Sequence, residues 1–332
     1  MSIEQYLKVG VVGCGNMGRK HIINACRTEK VLVVAIADID RARTAALATE
    51  MKATVFNNAE AMLKSVPLDA VIIATPPRIR CGVVKLAAVA GASIFVEKPI
   101  ALDLPAARRC SAAIKNSNLV NAVGFQLRYS PLTQRARSLI SGLTVTHVRT
   151  VCTTSYYLNM DMPLWFLQRQ ESGGPLLEQT IHTMDMARYL VGDITHVFAR
   201  GTRLVRPDLN MFDSQDTIVL AYQFANGAFG THTDSCAMTN FNWEIELFGS
   251  GWRLLIDYAR NRMHGYIGGQ TIEEEAHEDL HWLEMQIFLE AVRYREPDTV
   301  LSDFADATKT LATVLAGDRS LKTGVWEPVG EG

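Results

Sequence analysis

Tyr6-Leu-Lys-Val-Gly-Val-Val-Gly-Cys-Gly-Asn-Met-Gly18 decides the fold of the first half of this chain. Apolar through Val12 except at Lys8, the stretch predicts a strand. Gly13, Gly15 and Gly18, with Asn16 and Met17 between them, form a Gly-x-Gly-x-x-Gly turn, and His21, Ile22, Ile23 and Ala25 carry on as a helix. Gly13 permits the tight turn, Gly15 lets the backbone approach a pyrophosphate, and Gly18 lets helix and strand pack closely. The helix N-terminus would then face phosphates with its N–H groups and positive dipole end. A second strand, Val31 to Ala37, ends in Asp38, 20 residues beyond Gly18. There a carboxylate takes ribose hydroxyls and repels a 2′-phosphate, which favours NAD. Arg41 and Arg43 nearby keep NADP open.

Working outward, the alternation continues. Thr54 to Phe56 reads as a short strand, and Asn57 with Glu60 as a capping box opening a helix to Lys64. Asp69 to Ala74 is a strand that breaks at Thr75-Pro76-Pro77. Helix 79–90 ends at Gly91, Asp103 with Pro105 opens another to about Lys115, and Leu119 to Phe125 gives a sixth strand. Such alternation specifies an α/β architecture with a doubly wound parallel sheet. We place this dinucleotide-binding domain at 1–126.

Between the last two helices lies Ile94-Phe-Val-Glu-Lys-Pro-Ile100. Its apolar start predicts a buried strand, and Pro99, lacking an N–H, ends the ladder. Carboxyl ends of parallel strands face the ligand crevice. Lys98 is therefore expected in a cleft, where a desolvated ammonium can polarise an oxygen or move a proton.

The character changes after Pro131. Thr144 to Thr154 alternates with period two, Asp216 to Phe224 and Ala228 to Asp234 flank Asn226-Gly227, and Asn242 to Phe248 and Trp252 to Tyr258 flank Gly249-Ser-Gly251. These hairpins predict an α+β domain over 127–332, with a large, mostly antiparallel sheet. Its open face, with Ile218, Leu220, Tyr222 and Phe229, is expected to make a homo-oligomer interface. A helix opened by Ser172-Gly-Gly-Pro175 carries Glu178, His182 and Asp185 at i, i+4 and i+7, on one face. A carboxylate one turn from a histidine can hold the ring and favour the imidazolium, as a general base needs.

Composition narrows the classes. The 332 residues suit two domains; 48% hydrophobic and 20% charged residues are ordinary for a globular chain. A net charge of −2 makes no electrostatic case for nucleic acid or an anionic membrane. No basic leader and no 18-residue apolar stretch is seen. The six scattered cysteines read as free thiols of a reducing compartment, so the cytoplasm is expected. His277-Glu-Asp-Leu-His281 is a literal His-Glu-x-x-His, but the expected third ligand position holds Ile287; Glu273 to Glu275 read as the acidic opening of an amphipathic helix, and no metal is expected.

Together the glycine turn, Thr75-Pro76, Glu97-Lys98-Pro99, Gly124-Phe-Gln-Leu-Arg-Tyr129 and the helix with His182 and Asp185 resemble the glucose-fructose oxidoreductase/inositol dehydrogenase family, across essentially the whole chain. The resemblance implies a Rossmann domain, NAD, and a secondary alcohol of a sugar, sugar derivative or cyclitol as substrate. It implies Lys98 and His182 as the catalytic pair with Glu178 beside His182, where most relatives have Asp; Thr180 stands where they have Gly, and Arg80 where they often have His. It also places Thr75, Pro76, Glu97, Gln126 and Trp165 at the cofactor, and Arg128, Tyr156 and Asp185 with His182 at the substrate. Two other readings use the same motifs: a hydrolase or lyase that oxidises its substrate transiently with bound NAD, and a non-catalytic nucleotide sensor, against which intact Lys98 and His182 argue.

Overall fold

The computed structural model describes residues 6–115, 117, 119–159, 163–205 and 213–330. Two compact units emerge: Met1–Gln126 with Asp279–Thr308, and Leu127–Glu278 with Lys309–Gly332. A cut after Gln126 separates the two sheets, while Asp279–Thr308, grouped by sequence with the second domain, clusters with the first.

The first unit runs β1 (Leu7–Val12), α1 (Asn16–Arg27), β2 (Val31–Ala37), α2 (Arg41–Met51), β3 (Thr54–Phe56), α3 (Ala59–Ser65), β4 (Ala70–Ile73), α4 (Pro77–Ala90), β5 (Ser93–Val96), α5 (Leu104–Lys115) and β6 (Asn121–Val123). The strands lie in the order β3-β2-β1-β4-β5-β6, every pair parallel. The order reverses between β1 and β4, so their carboxyl ends flank the switch point where such sheets bind ligands. Strands β4 and β5 are buried at every residue, as expected of parallel strands covered on both faces. Ile22 and Ala25 of α1 join Met285, Phe288 and Leu289 of a later helix, α11 (Leu280–Tyr294), in one core with Val9, Val11, Ile72 and Phe95. Helix α3 is capped by Asn58, not Asn57: its Oδ1 accepts the Ala61 N–H at 2.8 Å. The sixth strand is shorter than its apolar run, and its Val123 N–H goes to the Ser302 carbonyl at 2.9 Å.

A 3-10 turn at Gln126–Tyr129 leads into the second unit, with α6 (Pro131–Leu139) and β7 (His147–Thr153), followed by short turns α7 (Tyr156–Asn159), α8 (Leu164–Leu167) and α9 (Arg169–Ser172). A π-helical turn at Leu176–Thr180 leads into α10 (Ile181–Val191). Strands β8 (Ile194–Thr202), β9 (Thr217–Phe224), β10 (Phe229–Ser235), β11 (Asn242–Gly249), β12 (Trp252–Asp257), β13 (Arg262–Ile267), β14 (Gln270–Glu275) and β15 (Glu327–Pro328) complete the sheet, and α12 (Phe304–Thr323) is divided between the units. The sheet order is β14-β13-β12-β11-β7-β10-β9-β8-β15, antiparallel except where β7 pairs with β10.

Three expectations are corrected here. The acidic Glu273–Glu275 run belongs to β14, paired with β13 through the Gly268-Gly269 turn, whose φ values of +58° and +80° suit a two-residue hairpin. The helix starts later, where Asp279 caps α11 by accepting the Trp282 N–H at 3.2 Å. Finally, Ile218, Leu220 and Tyr222 point into the core; the period of two puts Val219 outward instead, with Phe229 and Trp326 also exposed. No helix among the described residues is long and apolar enough to cross a membrane.

Candidate active site

The glycine turn follows β1 and lies beside the end of β4. Gly13 adopts φ +89°, and a Cβ there would sit 2.7 Å from the Ala74 carbonyl; at Gly18 a Cβ would run into the Gly13 carbonyl. Only glycine fits either place. Gly15 faces open space, and no side chain caps α1, whose first residues are Asn16 and Met17. Asp38, at the end of β2, ties the next strand to this turn: its Oδ2 accepts the Cys14 N–H at 2.6 Å and its Oδ1 the Asp40 N–H at 2.9 Å. Arg43 reaches the same Oδ2 at 3.4 Å from a half-exposed position. Burial first, then the Asp38 charge, push the Cys14 thiol up to about 12, so it stays protonated beside the turn. Thr75 is buried after β4, and its hydroxyl has no hydrogen-bond partner among the described residues.

Lys98 is half-buried beyond the end of β5, in a turn fastened from below. Glu97 points inward: Oε1 meets His21 Nε2 at 2.7 Å and Oε2 accepts the Lys98 N–H at 3.1 Å. Burial pushes this carboxyl's pKa up, but the bond and charge of His21, aided by Lys98 and Arg80, outweigh it and hold the value at about 2. Gly124 leaves room for that carboxylate, since a Cβ would stand 3.3 Å from it. Arg80 joins the neighbouring turns, donating from Nε to the Thr75 carbonyl at 2.7 Å and from Nη1 to the Pro99 carbonyl at 2.6 Å. Glu97, expected to touch the cofactor, is therefore spent on holding the Lys98 turn. His21 is the support that sequence reasoning missed, while the sequence singles out Arg80 only as a departure from the family's pattern. Gln126 is buried at the first unit's edge.

In the second unit the helix is not wound as expected. Glu178 lies in a π turn, whose i→i+5 bonding differs from the α-helical winding expected there. Flanking side chains pin this turn to the sheet. Thr180 donates to Asp234 Oδ2 at 2.6 Å and lies 3.3 Å from His232 Nε2; Gln179 donates to Cys236 Sγ at 2.8 Å and accepts from Thr154 at 3.2 Å. His182 is buried and meets the Trp243 ring edge-on at 5.1 Å, a neighbour the sequence did not suggest. Asp185 and Arg128, both expected at the substrate, are committed to each other. Arg128 donates from Nε at 2.8 Å and Nη2 at 2.6 Å to the two carboxylate oxygens, and Thr310 donates to Asp185 Oδ1 at 2.9 Å. Such a fully desolvated, bidentate pair holds structure rather than presenting a free charge. Tyr156 packs against Phe166 at 5.4 Å, and Trp165 meets the same ring at 5.9 Å. Burial, then the thiols of Cys152 and Cys236 and the carboxylate of Glu178, raise the Tyr156 phenol's pKa, so it remains a hydrogen-bond donor.

Of the His-Glu-x-x-His residues, His277 precedes the helix and only His281 lies on it; no cluster suited to a metal ion occurs among the described residues.

Residues 7–125 match the model of an oxidoreductase family with an NAD-binding Rossmann fold, GFO/IDH/MocA, and residues 133–254 match the C-terminal domain of the same family. The chain belongs to the GFO/IDH/MocA family. Its relatives include a myo-inositol 2-dehydrogenase of Thermotoga maritima, 27% identical over 95% of this chain and 96% of that one, and an NAD+-dependent scyllo-inositol 2-dehydrogenase of Bacillus subtilis, 26% identical over 97% and 96%. In fold it is similar to a levoglucosan dehydrogenase solved with NADH and levoglucosan, with a TM-score of 0.88, 22% identity and 98% and 100% coverage.

As a GFO/IDH/MocA member the chain is an NAD-binding oxidoreductase, and its residues fit the cofactor of that family. The open space at Gly15, the buried Thr75 hydroxyl in want of a partner, and a carboxylate at the end of β2 are the features a dinucleotide requires.

Proposed function

We propose that this oxidoreductase oxidises a secondary alcohol of a sugar, sugar derivative or cyclitol. The carrying observation is the Lys98 turn: Glu97 is turned inward to His21, and Lys98 stands half-buried just past the carboxyl end of β5. The cyclitol dehydrogenases among the relatives support the substrate class. When bound, NAD supplies the hydride acceptor. Lys98 stabilises the developing alkoxide. His182 takes the hydroxyl proton and Glu178 favours its protonated form. Arg128 and Asp185 support this helix, and Tyr156 hydrogen-bonds a substrate hydroxyl.

The test is a panel of polyols and sugars with NAD+ and NADP+, followed by reduced-nicotinamide absorbance. Turnover on one of these with NAD+ is expected. With that substrate, Lys98→Met and His182→Ala should each lower turnover by about a hundredfold or more, while NAD+ affinity changes little. Near-normal hydride transfer by folded His182→Ala would remove it from the mechanism.

The exposed Val219, Phe229 and Trp326 on the second sheet support assembly into a homodimer or homotetramer. Sedimentation as a monomer at micromolar concentration would refute this. Six free cysteines favour the cytoplasm, which cell fractionation would check.

A further inference from the structure

Helices α4 and α5 each carry a cysteine that has no part in the chemistry above. Cys110 is buried and Cys81 is partly exposed. The Cys110 thiol reaches the Cys81 carbonyl at 3.4 Å, and the Cys81 thiol lies 3.6 Å from the carbonyl of Ala106, one helical turn before Cys110. Each thiol thus rests against the helix that carries the other. Their mutual interaction raises the Cys81 thiol's pKa and lowers that of Cys110, with Lys85 and Arg109 adding to the second effect against burial. A thiolate so favoured is the reactive form of cysteine.

No other pair of thiols is placed this way among the described residues. Cys26 is exposed, but its sulfur neighbour is Met51, at 3.4 Å, which cannot close a disulfide. Cys152 and Cys236 are held apart by the Gln179 amide, which contacts both.

We propose that Cys81 and Cys110 form a reversible dithiol–disulfide modification site, oxidised by hydrogen peroxide or an organic hydroperoxide. One thiol of the pair, as its thiolate, attacks one peroxide oxygen; the O–O bond breaks, a sulfenic acid forms, and the departing oxygen leaves protonated. The other thiol then gives up its proton and attacks that sulfur, breaking the S–O bond with loss of water and forming S–S. Two thiols are oxidised by two electrons, and one hydrogen peroxide becomes two waters. The Cys81 thiol also contacts the Ile100 carbonyl at 3.6 Å, two residues past Lys98, so oxidation removes an S–H donor from the turn that Arg80 fastens.

The experiment treats the full chain with equimolar hydrogen peroxide, alkylates the remaining thiols, and maps peptides without reductant. A linked Cys81–Cys110 peptide should form faster than Cys26 is oxidised, and should vanish after dithiothreitol. Cys81→Ser changes the partly exposed member and spares the core. It should lose the linked peptide. Oxidation confined to Cys26, or sulfinic acids at Cys81 or Cys110 in the wild type without linkage, would overturn the proposal. None of these readouts depends on the substrate.

Discussion

His21 Nε2 lies 2.7 Å from Glu97 Oε1, with both side chains sealed from solvent. The pair joins the first helix to the turn that carries Lys98, so the glycine-turn helix and the expected catalytic lysine are set by one buried contact.

Its consequence for acid stability has a definite sign. Glu97 is held at about 2, below its ordinary 4.5, so the ionised carboxylate stabilises the fold above pH 4.5 and loses that effect as pH falls toward 2. Glu97→Gln should flatten the decline in denaturation midpoint across this window. An unchanged slope would show that Glu97 is not ionised in the folded chain.

Breaking the Arg128–Asp185 pair should be costly. Asp185→Ala strands a buried guanidinium and is expected to destabilise the chain by about 3–5 kcal/mol, read from urea midpoints. Adding Arg128→Met should recover part of the loss. A single-variant effect below about 1 kcal/mol would mean that the pair is solvated.

The π turn depends on the Thr180 hydroxyl. Thr180→Val keeps the shape but leaves Asp234 without its donor, at a cost of about 1–3 kcal/mol. Turnover should fall with it, because the turn carries Glu178. Unchanged stability would show that Asp234 has another partner.

Cofactor preference should rest on Asp38. Asp38→Ser removes the charge opposing a 2′-phosphate and leaves Arg43, so NAD+ weakens and NADP+ gains relative to it. A wild-type preference for NADP+ of about tenfold, or 1.4 kcal/mol, would contradict this.

Most of the first sheet was legible because its signals are local. Gly13, Gly15 and Gly18 answer to backbone geometry within one turn, and Asp38 ends a strand whose position the motif fixes. The hairpin at Asn226-Gly227 was legible for the same reason, and the next turn, at Gly249-Ser-Gly251, joins β11 to β12 as expected. Period two alone, however, did not say which face of β9 is inward; packing put Leu220 inside and Val219 out. The helix at Glu178 looked α-helical because its spacing satisfied that period. Its π winding coincides with the anchoring of Gln179 and Thr180 by β7, β10 and their flanks, partners 25 to 57 positions away. Likewise Asp185 read as a site carboxylate until Arg128, 57 positions earlier, was found on it. Sequence determined which groups the chain carries and its local turns; only tertiary structure decided which charges are spent on each other, because burial leaves an ion no alternative to its nearest partner.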